Sequence, residues 1–148
     1  MAALLSDPDV MRYYPHPKSR EEASAWIVWS QRLYHEHGFG LWLLTLRDTG
    51  EFVGDCGLTP QRVDGSTEIE VGYHMRTAFQ GHGLATEAAA ACRDDAAMSS
   101  ESTGSSPSST PRNRPPQRVA EKIGLVVERS SDNQSRWSNP QRIYAMSL

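Results

Sequence analysis

Apolar residues recur at helical spacing in the first part of the chain. Their spacing places them on one face of a helix. The residues are Ala23, Trp26, Ile27, Leu33 and Tyr34. Ser19 and Glu22 precede them with the spacing of a capping box, in which each side chain binds the backbone N–H of the other residue. We therefore predict a helix that begins after Ser19 and ends at Gly38. A shorter helix is predicted to start at residues 6–8.

The pattern then changes to alternation, which is typical of strands. Segments 39–46 and 51–58 are strand-like and are separated by a turn, so a β-hairpin is predicted. The next segment, 67–75, alternates apolar with polar residues and predicts a strand with one face of each kind. Its polar face carries Glu68, Glu70 and His74.

A stretch without apolar residues interrupts the second half. Residues 98–111 contain seven serines, and no apolar residue follows Met98. This composition is typical of a flexible linker that cannot bury itself.

Length, charge and cysteine content narrow the class of protein. A chain of 148 residues fits one domain, 1–148, with a single core. The net charge of −3 argues against general nucleic-acid binding, and no segment is long and apolar enough for a signal peptide or a membrane span. Cys56 and Cys92 form no Cys-x-x-Cys pair, which favours reduced thiols. We expect a cytoplasmic protein that binds neither membrane nor nucleic acid, and no metal site.

The strongest chemical signal follows the strand 67–75. The residues are Gln80-Gly81-His82-Gly83-Leu84-Ala85-Thr86-Glu87, at the start of an Ala-rich helical segment. Gly83 allows a tight turn close to a ligand, and the first N–H groups of a helix are free to bind an anion. The turn is not a Walker A loop, because it lacks the Gly-Lys-Ser/Thr ending, and it is not a Rossmann fingerprint, because Thr86 replaces the third glycine.

The Gln-x-x-Gly-x-Ala spacing after Glu70-Val71-Gly72-Tyr73 resembles the acetyl-CoA motif of the GNAT N-acetyltransferases. The chain looks most like the branch with the ribosomal-protein N-terminal acetyltransferases, continuously from about residue 6 to residue 97. The resemblance implies an α/β fold, a mixed, largely antiparallel sheet flanked by helices. Compared with the family pattern, the first strand is missing, so the strand 39–46 is expected at an exposed edge. The fifth strand is disrupted by residues 98–111. After this stretch, residues 113–124 resemble the family's fourth helix, and segments 125–129 and 141–146 resemble its closing strands.

The resemblance also implies an acetyl-CoA site, built from backbone groups of the strand end, the glycine turn and one residue before the fourth helix. Its residues are Tyr73, His74, Met75, Arg76, Gln80, Gly81, His82, Gly83, Leu84, Ala85, Thr86 and Asn113. Glu70 aligns with the family's strand glutamate and is the candidate base, with Glu68 as the alternative. Many relatives carry a hydroxyl residue where this chain has Pro116 or Ala120, so no general acid is evident.

Residues 98–111 have two competing explanations. With freely chosen codons, a shift of one base turns this stretch into a good buried strand, so a compensated frameshift is one hypothesis. A genuine disordered insert is the other.

The sequence therefore predicts acetyl-CoA-dependent acetyl transfer to a primary amine, on a protein N-terminus or a small molecule. The alternatives are a degraded, non-catalytic copy and a binding or interaction module for acetyl-CoA. We expect a monomer or a homodimer.

Overall fold

A computed structural model describes residues 1–63, 66–98, 108–109, 114–131 and 141–146. The helices in these residues are α1 (Ala2–Leu5), α2 (Arg20–His37), α3 (Leu84–Met98) and α4 (Arg114–Lys122). The strands are β1 (Leu41–Thr45), β2 (Phe52–Val63), β3 (Ser66–Met75), β4 (Ser108–Ser109), β5 (Leu125–Ser131) and β6 (Gln141–Met146). The predicted α/β fold, a largely antiparallel sheet flanked by helices, is confirmed.

Helix α2 begins and ends where its capping residues predict. The Glu22 N–H donates to Ser19 Oγ at 3.2 Å, and the Ser19 N–H donates to Glu22 Oε2 at 2.7 Å. Gly38 closes the helix in the left-handed conformation, with φ of 76°. Side chain and backbone thus satisfy both ends, as local sequence alone indicates.

The prediction of a helix that starts at residues 6–8 was wrong. The short helix α1 ends before this point, and Ser6 is its last capping residue. The Asp7 carboxylate instead makes one local and one distant hydrogen bond: its Oδ1 accepts the N–H of Asp9 at 2.8 Å, and its Oδ2 accepts the Thr77 hydroxyl at 2.9 Å. Such side-chain bonds compete with helix formation and favour the turns seen here.

Strands β1, β2 and β3 form an antiparallel sheet in that order, so β1 lies at one end as expected. Strand β2 runs five residues past its predicted end at Leu58. Beyond Gly57, the partner of Leu41, β2 has no paired residue on β1. A strand that is paired on one side tolerates Pro60, which has no N–H to donate.

The two faces of this sheet differ in chemistry. On one face, Cys56, Leu58 and Val71 join the core with residues of α3 and α4. On the other face, helix α2 approaches the sheet, and the Leu41 N–H donates to Ser30 Oγ at 3.1 Å. This second face carries the polar residues of β2 and β3.

The two cysteines meet inside the core. Cys56 Sγ lies 3.5 Å from Cys92 Sγ, and both are buried free thiols. Their contact and their burial raise the pKa of Cys56, whereas the same contact lowers the pKa of Cys92. The residues are isolated in sequence, yet β2 and α3 place them side by side.

The second sheet has the order β4, β6, β5, and every described pairing is antiparallel. Within the Ser-rich stretch 98–111, Met98 closes α3, and Ser108 and Ser109 pair with β6. A two-residue strand therefore stands where the family pattern has its fifth strand. The remaining residues of the stretch, and with them the predicted linker, lie outside the described residues.

In the described part of the chain, helices capable of crossing a bilayer are absent.

Candidate active site

A cavity lies on the polar face of β2 and β3, beneath α2. In the register of the two strands, Asp55 faces His74, Gly57 faces Gly72 and Thr59 faces Glu70. Alternate residues of a strand share a face, so these side chains all point to the same side of the sheet. The cavity is lined by Tyr14, Trp26, Trp29, Leu41, Thr59, Gln61, Glu70, Gly72, Tyr73 and His74.

One end of the cavity holds a chain of three hydrogen-bonded side chains. His74 Nδ1 lies 2.8 Å from Asp55 Oδ1, and His74 Nε2 lies 2.6 Å from the Tyr14 hydroxyl. The same Asp55 Oδ1 accepts the backbone N–H of His74 at 3.0 Å. Asp55 is fully buried, and His74 is 7% exposed. Of these three residues, only His74 was predicted to lie in the site; Asp55 and Tyr14 were missed.

Glu70 lies toward the other end of the cavity. It is four residues before His74 on β3, roughly 13 Å along the strand. Gly72 separates the two and contributes no side chain. Glu70 is partly buried and lines the cavity, as expected for the polar face. The side chain of the alternative base, Glu68, lies outside the described residues.

Two tryptophans of α2 cover the cavity. The rings of Trp26 and Trp29 lie 4.9 Å apart, and the ring of Trp26 meets that of His74 edge-on at 5.7 Å. Trp42, by contrast, is 38% exposed on the end strand β1. The aromatic cover reduces the access of solvent to His74.

The glycine turn has the geometry that its sequence predicts. Gly81 and Gly83 have φ of 79° and 85°, and a Cβ on either would meet nothing within 4 Å. Helix α3 starts directly after Gly83, whose carbonyl accepts the N–H groups of Thr86 and Glu87 at 2.9 and 3.0 Å. The turn is exposed, so a ligand has room to approach the first N–H groups of the helix.

The end of β3 presents only half of its peptide groups outward. The His74 N–H is bound by Asp55, and the Arg76 N–H donates to the carbonyl of Val53 at 2.9 Å. Since peptide groups alternate along a strand, those of Tyr73 and Met75 point away from β2. The Met75 carbonyl accepts from Gln80 Nε2 at 3.1 Å, which ties the glycine turn to the strand end.

Comparisons with known proteins agree with this geometry. Residues 1–126 match the family model described as "Acetyltransferase (GNAT) domain". The chain belongs to the GNAT acetyltransferase family. The uncharacterized protein YkkB of Bacillus subtilis is 36% identical over 141 residues, which cover 95% of this chain and 80% of YkkB.

Two solved GNAT structures share the fold at low identity. One is an acetyltransferase from Salmonella typhimurium that modifies the N-terminal serine of ribosomal protein L7/L12. It is 15% identical with a TM-score of 0.78, covering 99% of this chain and 86% of that one. The other is the microcin C7 self-immunity acetyltransferase MccE in complex with acetyl-CoA and AMP. It is 15% identical with a TM-score of 0.77, and the match covers 99% of this chain and 84% of MccE.

The remaining residues of the predicted GNAT site are placed only in part. His82, Leu84, Ala85 and Thr86 lie in or directly after the glycine turn. Asn113 lies outside the described residues. Ala120 is 1% exposed in the core, and its methyl side chain offers no hydroxyl. Among the described residues, no group of three or more metal-ligating side chains is close enough to hold a metal ion.

Tyr73 carries a buried phenol that has no hydrogen-bond partner among the described residues. Burial, and then the nearby Cys56 thiol, raise the pKa of Tyr73. Because the folded pKa lies above the unfolded value of about 10, the contribution of the Tyr73 phenol to the free energy of unfolding is complete below pH ~10. It is lost as the pH rises further.

We expect Tyr73→Phe to flatten the alkaline loss of stability. Above pH ~10 the phenol contributes a loss of up to about 1.4 kcal/mol per pH unit in the free energy of unfolding, which the variant lacks. Near neutral pH the variant should be as stable as the wild type or more so, because no described hydrogen bond is removed. Urea unfolding across pH measures both, with Tyr13→Phe as the exposed control. Equal alkaline slopes for Tyr73→Phe and the wild type would contradict this account.

Proposed function

We propose that this GNAT protein transfers the acetyl group of acetyl-CoA to a primary amine, with the α-amine of a peptide N-terminus or a small molecule as acceptor. The observation that carries the proposal is a cavity on the polar face of β2 and β3, with Glu70 on the same strand that leads into the glycine turn. In this proposal the protein acts as a single domain in the cytoplasm. It is a monomer or a homodimer without nucleic-acid or membrane partners.

The residues present fit acetyl-CoA. The positive φ of Gly83 and the open space beside it leave the N–H groups at the start of α3 accessible to phosphate. The outward peptide groups of Tyr73 and Met75 offer a strand edge to the extended arm of the cofactor. Acetyl-CoA, when bound, supplies the acetyl thioester. The relative solved with acetyl-CoA supports this assignment.

An α-amine is easier to deprotonate at neutral pH than a lysine side chain. Its pKa of about 8, against about 10.4 for lysine, makes deprotonation at neutral pH cheaper by roughly 3 kcal/mol. The relative that modifies an N-terminal serine supports an acceptor of this class. Glu70 is the proposed base, acting directly or through water.

The test is thiol release from acetyl-CoA by the full chain. The acceptors are peptides that begin with a free serine or alanine, and an N-acetylated peptide with one lysine is the comparison. The proposal predicts release with the free α-amines and far less with the lysine. Without release for any amine, the proposal fails, and acetyl-CoA binding without turnover would be favoured. That second candidate rests on the missing hydroxyls at Pro116 and Ala120.

Replacement of Glu70 by Gln should lower kcat by about 10²–10⁴-fold for an α-amine acceptor, because the amide cannot accept a proton. The KM for acetyl-CoA should not change. Steady-state kinetics of Glu70→Gln are compared with those of Glu36→Gln, which alters an exposed glutamate of α2. Full activity in Glu70→Gln together with a loss in Glu68→Gln would assign the base to Glu68 instead.

A further inference from the structure

Hydrogen bonds join Asp55, His74 and Tyr14 at one end of the cavity, and their geometry indicates which atoms donate. An ionised Asp55 carboxylate can only accept hydrogen bonds, and its Oδ1 lies 2.8 Å from His74 Nδ1. In the neutral form of the imidazole, Nδ1 then carries the proton and Nε2 is left as an acceptor. The Tyr14 hydroxyl, 2.6 Å away, must then donate to Nε2.

In this arrangement the three hydrogen-bonded side chains can take up a proton. We propose that Tyr14, His74 and Asp55 form a proton relay that accepts a proton from the acceptor amine, a role that rests on the proposed acetyl transfer. A proton that reaches the Tyr14 oxygen displaces the phenol's own proton to His74 Nε2. Tyr14 lines the cavity, so in this relay it is the member that meets the acceptor amine and is the catalytic residue, whereas His74 and Asp55 are positioning residues that act through it.

The proton balance requires more than one acceptor. An ammonium nitrogen loses two protons when it becomes an amide. The relay takes one: an N–H bond breaks, an O–H bond forms on Tyr14, the former Tyr14 O–H bond breaks, and an N–H bond forms at His74. The other proton passes through water to Glu70, because Glu70 lies toward the opposite end of the cavity, and it ends on the released thiol. His74 later returns its proton to solvent through Tyr14.

The inner end of the relay is closed to water. Asp55 is 0% exposed, and its Oδ2 has no hydrogen-bond partner among the described residues. A buried carboxylate is stabilised when its neighbour becomes positive. The ring of Trp26 meets that of His74 edge-on at 5.7 Å and covers it from solvent. A packing role for the same three residues makes a different prediction from the relay.

Tyr14→Phe separates the two roles, because it removes the hydroxyl and keeps the ring. We expect kcat for a serine-initiated peptide to fall about 10²-fold or more, with the KM for acetyl-CoA unchanged. Tyr13→Phe, at an exposed neighbouring position, is the matched control and should keep full activity. The loss should shrink toward one-fold for a peptide with an aminooxy terminus, whose nitrogen is already neutral at neutral pH. A packing role would slow both acceptors equally.

A second measurement does not depend on activity. Nitrogen NMR of the uniformly labelled wild-type chain should show His74 with its proton on Nδ1 and an acceptor Nε2 whose resonance shifts in Tyr14→Phe. A proton on Nε2 would overturn the relay, as would an unchanged kcat in Tyr14→Phe. No turnover by the wild type with any amine would refute the proposed function and the relay with it, whereas turnover that Tyr14→Phe leaves intact would refute the relay alone.

Discussion

The Gly83→Val variant should lose the stabilisation that acetyl-CoA gives to the wild-type chain. At a concentration of 100 times Kd, the ligand raises the free energy of unfolding of the wild type by about 2.7 kcal/mol. Valine adds a branched side chain where α3 presents its first N–H groups, and a phosphate can no longer approach them. If the Kd rises 100-fold, the stabilisation at the same ligand concentration falls to about 0.4 kcal/mol.

Gly50→Val is the matched control for this experiment. Gly50 lies in the turn between β1 and β2 with φ of 70°, and its Cβ would meet nothing within 4 Å, as at Gly83. Both substitutions therefore cost about 1–2 kcal/mol through the left-handed backbone alone. Thermal unfolding with and without acetyl-CoA compares them. A ligand response that is preserved in Gly83→Val would show that the turn is not the binding site, whereas a response lost in both variants would attribute the loss to the strained backbone.

The second large effect is on folding. Gly57→Ala should destabilise the protein by about 3 kcal/mol, at the upper end of what overpacking costs. A Cβ on Gly57 would overlap the Gly40 carbonyl oxygen and lie 2.8 Å from Leu41 Cα. These are backbone atoms of the neighbouring strand, which cannot move aside as the end of a flexible side chain can. Urea denaturation measures the loss.

Gly72, the partner of Gly57 across the two strands, is the control. A Cβ there would meet Leu41 Cδ2 at 3.8 Å and Thr59 Oγ1 at 4.0 Å, which are ordinary contacts. We expect Gly72→Ala to change stability by less than about 0.5 kcal/mol. Substitution by Ala should thus cost much more stability at Gly57 than at the facing Gly72. Equal losses would mean that the close approach of β1 to β2 does not limit the fold.

Local signals predicted the elements whose ends are determined locally. The capping box at Ser19 and the glycine at position 38 define α2, and both act over a few residues. The glycine turn before α3 was predicted for the same reason. The helix expected at residues 6–8 failed because the Asp7 carboxylate binds Asp9 and Thr77, and the second of these lies far away in sequence.

The polar network could be predicted only in part, because it depends on register. Alternation along β3 placed Glu70 and His74 on one face, which the structure confirms. The contact of Asp55 with His74 spans 19 residues and that of Tyr14 with His74 spans 60. A lone carboxylate in the middle of the apolar strand 51–58 was the available signal for Asp55. No pattern in the sequence indicated Tyr14, since its position follows from how the chain packs before α2.

That packing has a consequence for how damage to this protein would be recognised. Tyr14 packs on a small apolar cluster, separate from the main core, that consists of Leu5, Met11 and Ala23. The cluster can loosen locally while the sheet, α3 and α4 keep the global unfolding transition in place. A survey that scores variants by melting temperature alone would class such changes as harmless. Only an assay of turnover would show that the enzyme had lost one wall of its cavity.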